Sequence, residues 1–156
     1  MPHLEQTYLL ILNLILWQPY EMSSYPLQEF LKMHDEEPLT LIACGIFKKE
    51  FKSLPKELKN KFHPRFLNSM LHMNPDLLDK AISYIINKHP DKKLMLLYGD
   101  CSAHMHELVS GYGRTRTEGL NCIEIFLGKD LYHTLRKQGT FFLMPEWALR
   151  WKEIFL

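Results

Sequence analysis

Residues 93–101 read Lys-Leu-Met-Leu-Leu-Tyr-Gly-Asp-Cys, and no other stretch constrains the fold as strongly. A lysine bounds the apolar run on one side and a glycine on the other. A run of this length with no polar alternation suits a strand buried on both faces. Parallel sheets create that situation, because their strands are joined by crossovers that lie over the sheet. Such a strand delivers Asp100 and Cys101, just past its end, to the carboxyl edge, where open α/β sheets bind ligands.

The preceding segment has the marks of a crossover helix. Asn74 is a natural N-cap, Pro75 suits the first helical position, and Asp76 complements the helix dipole. Leu77, Leu78, Ala81, Ile82, Ile85 and Ile86 recur at helical spacing, and His89-Pro90-Asp91 stops the helix. Further upstream, residues 39–45 (Leu-Thr-Leu-Ile-Ala-Cys-Gly) read as another buried strand, ending on Cys44 and Gly45. Residues 48–58 read as mostly helical, with Pro55 opening a turn. Residues 62–67 read as a weaker strand that Pro64 confines to a sheet edge.

Beyond Cys101, residues 102–109 predict a helix capped by Ser102 and ended by Gly111 and Gly113. Arg114-Thr115-Arg116-Thr117 is a polar loop or a short edge strand. Asn121-Cys122-Ile123-Glu124 has the capping-box pattern, with Cys122 at the first helical position. Gly128 breaks that helix, residues 129–137 continue helically, and Gly139 stops them. Residues 140–143 (Thr-Phe-Phe-Leu) are expected to form a final strand before Pro145-Glu146-Trp147. This alternation is the signature of a doubly wound, mostly parallel α/β sheet, Rossmann-like and three-layered. The expected organisation is an α/β domain over residues 39–156. Residues 1–38 form an N-terminal extension and connector, with a short helix near 27–33.

Composition removes several function classes. A net charge of +1 gives no reason to expect nucleic acid or an anionic membrane as partner. The apolar run at residues 8–17 is half the roughly 20 residues a spanning helix needs. It also lacks the basic lead and the small-residue cleavage site of a signal peptide. Three cysteines, an odd and sparse set, fit reduced thiols in a cytoplasm rather than a secreted disulfide scaffold. The apolar end at Leu156 gives the chain a shortened look. The apolar N-terminal run, Phe141, Phe142, Trp147 and Trp151 would supply an interface to a partner or a second copy of the chain.

The cysteines carry the chemistry. Cys44 ends one parallel strand, Cys101 comes just after another, and Cys122 opens a helix at the same edge. Neighbouring strands lie about 4.8 Å apart, so thiols at one edge can share a metal ion. A helix N-terminus would lower the pKa of Cys122 and favour the thiolate. Gly45 and Gly99 would let backbone approach a bound group closely. His72 ranks first as a fourth ligand, His104 second and His106 third. Asp100 is expected to cap or to orient a ligand, and Arg114 and Arg116 are open as anion holders.

Ala43-Cys44-Gly45, Leu71-His72, Leu97-Tyr98-Gly99-Asp100-Cys101, Asn121-Cys122 with Ile125-Phe126-Leu127-Gly128, and Pro145-Glu146-Trp147 fall in a familiar order and spacing. Together they resemble domain-of-unknown-function family 1638, over about residues 40–152. The resemblance implies a three-cysteine core matching Cys44, Cys101 and Cys122, with a histidine matching His72. Relatives are often encoded beside corrinoid-dependent methyltransferases. That implies a corrinoid protein or methyltransferase as partner and a place in one-carbon metabolism. Many relatives carry glycines after the central cysteine, where this chain has Ser102-Ala103-His104-Met105-His106, so a cofactor-cradling glycine loop is not carried over.

The leading expectation is a metal site, zinc or an iron–sulfur cluster, held by Cys44, Cys101 and Cys122. Its fourth position is either open, which suits catalysis, or filled by His72, which makes the site structural and closed. Asp100, His104, Glu124, Gly45 and Gly99 are expected around the ligands or the substrate. One alternative is a metal-free thiol enzyme with Cys101 as nucleophile and His104 or His72 as base. The other is a non-catalytic assembly or accessory protein.

Overall fold

The computed structural model describes residues 37–156 except Tyr112. The apolar run at 8–17, the helix expected near 27–33 and most of the connector lie outside the described residues.

Four strands form one sheet: β1 (Leu39–Cys44), β2 (Phe62–Leu67), β3 (Leu94–Leu97) and β4 (Arg114–Arg116). Their order is β2-β1-β3-β4 and every pairing is parallel. The α/β reading of the sequence therefore holds. Two short helices, α1 (Lys48–Ser53) and α2 (Lys56–Lys59), connect β1 to β2, and α3 (Pro75–Lys88) leads from β2 to β3. A single turn, α4 (Met105–Leu108), lies between β3 and β4. The chain ends in α5 (Cys122–Leu127), α6 (Lys129–Lys137), α7 (Pro145–Leu149) and α8 (Trp151–Phe155).

The topology fixes where a site belongs. From β1 the chain moves outward to β2, then returns across β1 to β3. Right-handed crossovers place those two connections on opposite faces of the sheet. The reversal between β1 and β3 is a topological switch point, and the crevice beyond the carboxyl ends of those strands is where such sheets bind ligands.

Burial explains the two central strands. All six residues of β1 and all four of β3 are buried. On α3 the buried residues are Leu78, Ile82 and Ile86, one stripe facing the core, whereas Leu77 is half exposed and outside it. Each fully buried leucine or isoleucine stabilises the fold by about 1.5–3 kcal/mol. Asn74 caps α3 as its sequence suggests, its side chain accepting from the Leu77 N–H at 3.2 Å, with Pro75 next. β2 lies at the sheet edge, where Pro64 is tolerated.

Two expectations need correction. Residues 140–143 form no strand. Gly139, at φ +75°, ends α6 in a Schellman motif. Its N–H reaches the Arg136 carbonyl at 3.0 Å and that of Thr140 reaches Leu135 at 3.2 Å. The chain then lays Phe142 against Tyr132, ring centroids 5.5 Å apart, and buries Met144. The helix expected at 102–109 is only α4. Ser102 instead shapes the turn before it, accepting from the His104 N–H at 3.3 Å and donating to Asp79. The segment 48–58 is mostly helical as expected, with Leu54 extended between α1 and α2 and Pro55 opening the turn of α2. Among the described residues, no helix is long and apolar enough to cross a membrane.

Candidate functional site

Cys44 is the last residue of β1 and is buried. The β1–β3 register pairs Ile42 with Leu96 and Ala43 with Leu97, so Cys44 stands abreast of Tyr98, on the same face. After Tyr98 the chain turns sharply, the Cys101 N–H bonding the Gly99 carbonyl at 2.8 Å. The Asp100 N–H reaches across to the Leu120 carbonyl at 3.1 Å, pinning this loop to the one before α5. Gly99 makes that approach possible: a Cβ there would lie 2.3 Å from the Cα of Asn121. Gly45 meets a similar limit, since a Cβ would lie 2.7 Å from the Leu67 carbonyl oxygen. At both positions the close approach is backbone to backbone.

Asn121 completes the arrangement. Its side-chain oxygen accepts from Ile123 N–H at 3.0 Å and Glu124 N–H at 2.9 Å, and its amide donates to the Tyr132 hydroxyl at 2.8 Å. Cys122 is thereby fixed at the start of α5, beside Cys101. The three free thiols are near enough to influence one another's ionisation, Cys101 with Cys122 and Cys122 with Cys44. Three segments separated by 57 and then 21 residues meet here.

Their environment disfavours charge. The hydrogen bond with Cys122, burial and the nearby Cys122 sulfur all push the Cys101 pKa upward. For Cys122 the bond with Cys101 lowers the pKa, but the bond with Cys44 and burial outweigh it, leaving the thiol pushed up to about 12. This reverses the sequence expectation of a thiolate favoured by the helix N-terminus. Thiol neighbours and burial overcome the six-residue α5.

The other candidate residues occupy separate places around this edge. His72 lies in the 3-10 turn Ser69–Met73 after β2, its Nδ1 bonded to the Ser69 carbonyl at 2.5 Å and its ring 5.9 Å from that of Trp147. The largest influences on Cys101 and Cys122 come from other cysteines, not from a histidine. His104 is exposed and pairs with Asp79 at 2.8 Å, away from the thiols' contacts. Asp100 holds Arg116 at 2.6 Å. Glu124 is buried, and its carboxylate accepts from the Leu120 N–H at 2.8 Å, one residue before the position a capping box would use. His133 lies 3.5 Å from its other oxygen.

Two groups at this edge escape a reading of the sequence alone. Tyr98 is 2% exposed, and its hydroxyl has no partner. Burial, then Cys44, Cys122 and Cys101, raise its pKa, so its hydroxyl is within electrostatic reach of all three sulfurs. The available signal is a single tyrosine ending an otherwise aliphatic strand. The second is Glu146 on α7, which accepts from Ser69 Oγ at 2.9 Å and pairs with Arg150 at 2.6 Å, tying α7 to the turn after β2.

Among the described residues, no group of three or more His, Cys, Asp or Glu side chains is disposed to hold a metal ion as it stands. Of the three thiols, Cys122 is the one that influences, and is influenced by, both of the others. A family model described as "Protein of unknown function (DUF1638)" matches residues 66–156. The matched range includes His72, Cys101 and Cys122 and begins after Cys44. No curated protein and no solved structure matches the chain.

Proposed function

Because this chain belongs to the DUF1638 family, whose function is unknown, we propose a role from its own residues: a metal-binding α/β protein in which Cys44, Cys101 and Cys122 hold zinc or an iron–sulfur cluster as thiolates. The observation that carries this reading is the meeting of all three cysteines at the β1/β3 switch point. Soft thiolate donors select zinc and iron–sulfur clusters among biological metal centres. The donor set fits in chemistry, and it needs the loss of the thiol protons to become a centre. Bound there, zinc would supply Lewis acidity and a cluster would supply electron transfer. His72 is the candidate fourth ligand, at the carboxyl end of β2.

The same contacts speak against a metal-free nucleophile. Attack requires a thiolate, and the neighbours of Cys101 push its pKa up rather than down. We also propose a corrinoid protein or methyltransferase as partner, and binding of the full chain to a purified corrinoid protein tests that.

Elemental analysis and an absorption spectrum of anaerobically purified full-length protein test the centre. About one zinc ion or one cluster per chain is expected, with loss in Cys101→Ser and Cys122→Ser. Protein that purifies without metal and takes up neither zinc nor iron would sink the proposal.

A further inference from the structure

Four buried side-chain atoms among the described residues lack a hydrogen-bond partner: Glu50 Oε2, Tyr98 OH, Arg116 Nη1 and Trp147 Nε1. Buried polar groups are almost always satisfied, so each such atom calls for an explanation. Three of the four can donate, and two of those belong to the carboxyl edge already described.

The sheet register brings those two together. Leu96 pairs with Ile42 on one side and Arg116 on the other, so Ile42, Leu96 and Arg116 form one row on one face. Residues two apart on a strand share a face, which puts Cys44 and Tyr98 in the next row on the same face. Tyr98 is thus flanked by Cys44 and by the strand carrying Arg116. The Arg116 guanidinium is mostly buried and spends only part of its hydrogen-bonding capacity, Nη2 holding Asp100 at 2.6 Å while Nη1 is left over. A planar guanidinium with a free edge and a phenol with a free O–H are donors suited to a small oxyanion.

We infer that the carboxyl edge of the sheet beside the three thiols binds a small oxyanion, a carboxylate or a phosphate, with the Tyr98 hydroxyl and Arg116 Nη1 as its donors. This deepens the thiol-centre reading and rests on it, the oxyanion being a further ligand of the same site. Asp100 is the positioning residue, fixing the guanidinium by its ion pair while its own backbone N–H is spent on Leu120. Glu50 and Trp147 have no part in it.

The experiment is calorimetric titration of the full chain with sodium acetate and, separately, with inorganic phosphate, at constant ionic strength. Each is run with and without added zinc, and zinc uptake is measured in parallel. Saturable binding of at least one anion is expected, weakened about tenfold or more in both Tyr98→Phe and Arg116→Gln. Zinc uptake by Tyr98→Phe should match that of the unaltered chain. Acetate alone binding assigns a carboxylate, and phosphate alone assigns a phosphoryl group. Tyr98→Phe removes one oxygen and is expected to keep the fold, so it decides the matter if Arg116→Gln does not fold. No binding of either anion, or equal binding by Tyr98→Phe, overturns the inference. Anion binding lost in Tyr98→Phe in a protein that takes up neither zinc nor iron overturns the metal reading and leaves the oxyanion site standing.

Discussion

At the scale of single residues, Gly99 and Cys122 do the most to define the site, and each implies a measurement. A methyl group at position 99 would overlap the Asn121 backbone, with its Cβ 2.3 Å from Cα, so the two loops would have to separate. Gly99→Ala is therefore expected to cost about 1–3 kcal/mol or more, seen as a lowered denaturant midpoint. It should also weaken zinc uptake, because the displaced loop carries Cys101. Cys122 makes a prediction about pH. Its folded-state pKa is raised from the ordinary 9.0 to about 12, so folding favours the protonated thiol. The stability it contributes is fully present below the unfolded-state value and is lost as pH rises through the folded one. Melting of metal-free protein should fall between about pH 9 and 12, and Cys122→Ser should flatten that fall. Metal binding has the opposite dependence, since ligation releases thiol protons and tightens as pH rises.

At the scale of elements, the two asparagine caps separate stability from the site. Asn74 and Asn121 each accept hydrogen bonds at a helix start, and replacing either with alanine should cost about 1 kcal/mol of stability. Only Asn121 lies against Gly99 and beside Cys122. Asn121→Ala should lower zinc affinity as well as the melting temperature, and Asn74→Ala should lower the melting temperature alone. Both caps are legible in the sequence because the signals are local: a polar side chain, then a proline or glutamate at fixed spacing. The buried strands are legible for a related reason, their unbroken apolar runs having no other good home. Residues 140–143 mislead because aromatic residues suit a strand and a loop equally until a neighbour is present. Among the described residues no strand pairs with them, and Tyr132 offers Phe142 a ring to pack on. The direction of the Cys122 shift is also hidden, because it depends on two cysteines distant in sequence. Tyr98 and Arg116 show the same limit: their types are plain in the chain, and only the register puts them on one face.

At the scale of the whole molecule, the thiols join parts of the chain that the sheet alone holds less directly. Cys44 ends a central strand, Cys101 sits on the loop leaving the other central strand, and Cys122 begins the C-terminal helices. A metal bound to all three would tie β1, β3 and α5 together at the switch point. Binding only the folded form stabilises it by about 2.7 kcal/mol at a free concentration one hundred times the dissociation constant. For a chain of this size that corresponds to a rise of about 5–10 °C in melting temperature. Zinc added to the anaerobic, reduced protein is expected to give such a rise, and calorimetry reads it directly. Cys44→Ser, Cys101→Ser and Cys122→Ser should each remove most of the increase. His72→Ala distinguishes the forms of the centre, abolishing the rise if that histidine is the fourth ligand and leaving it largely intact if three thiolates suffice. Equal zinc-induced rises in the unaltered chain and in all three serine variants would place the metal elsewhere and leave the thiols as packed core.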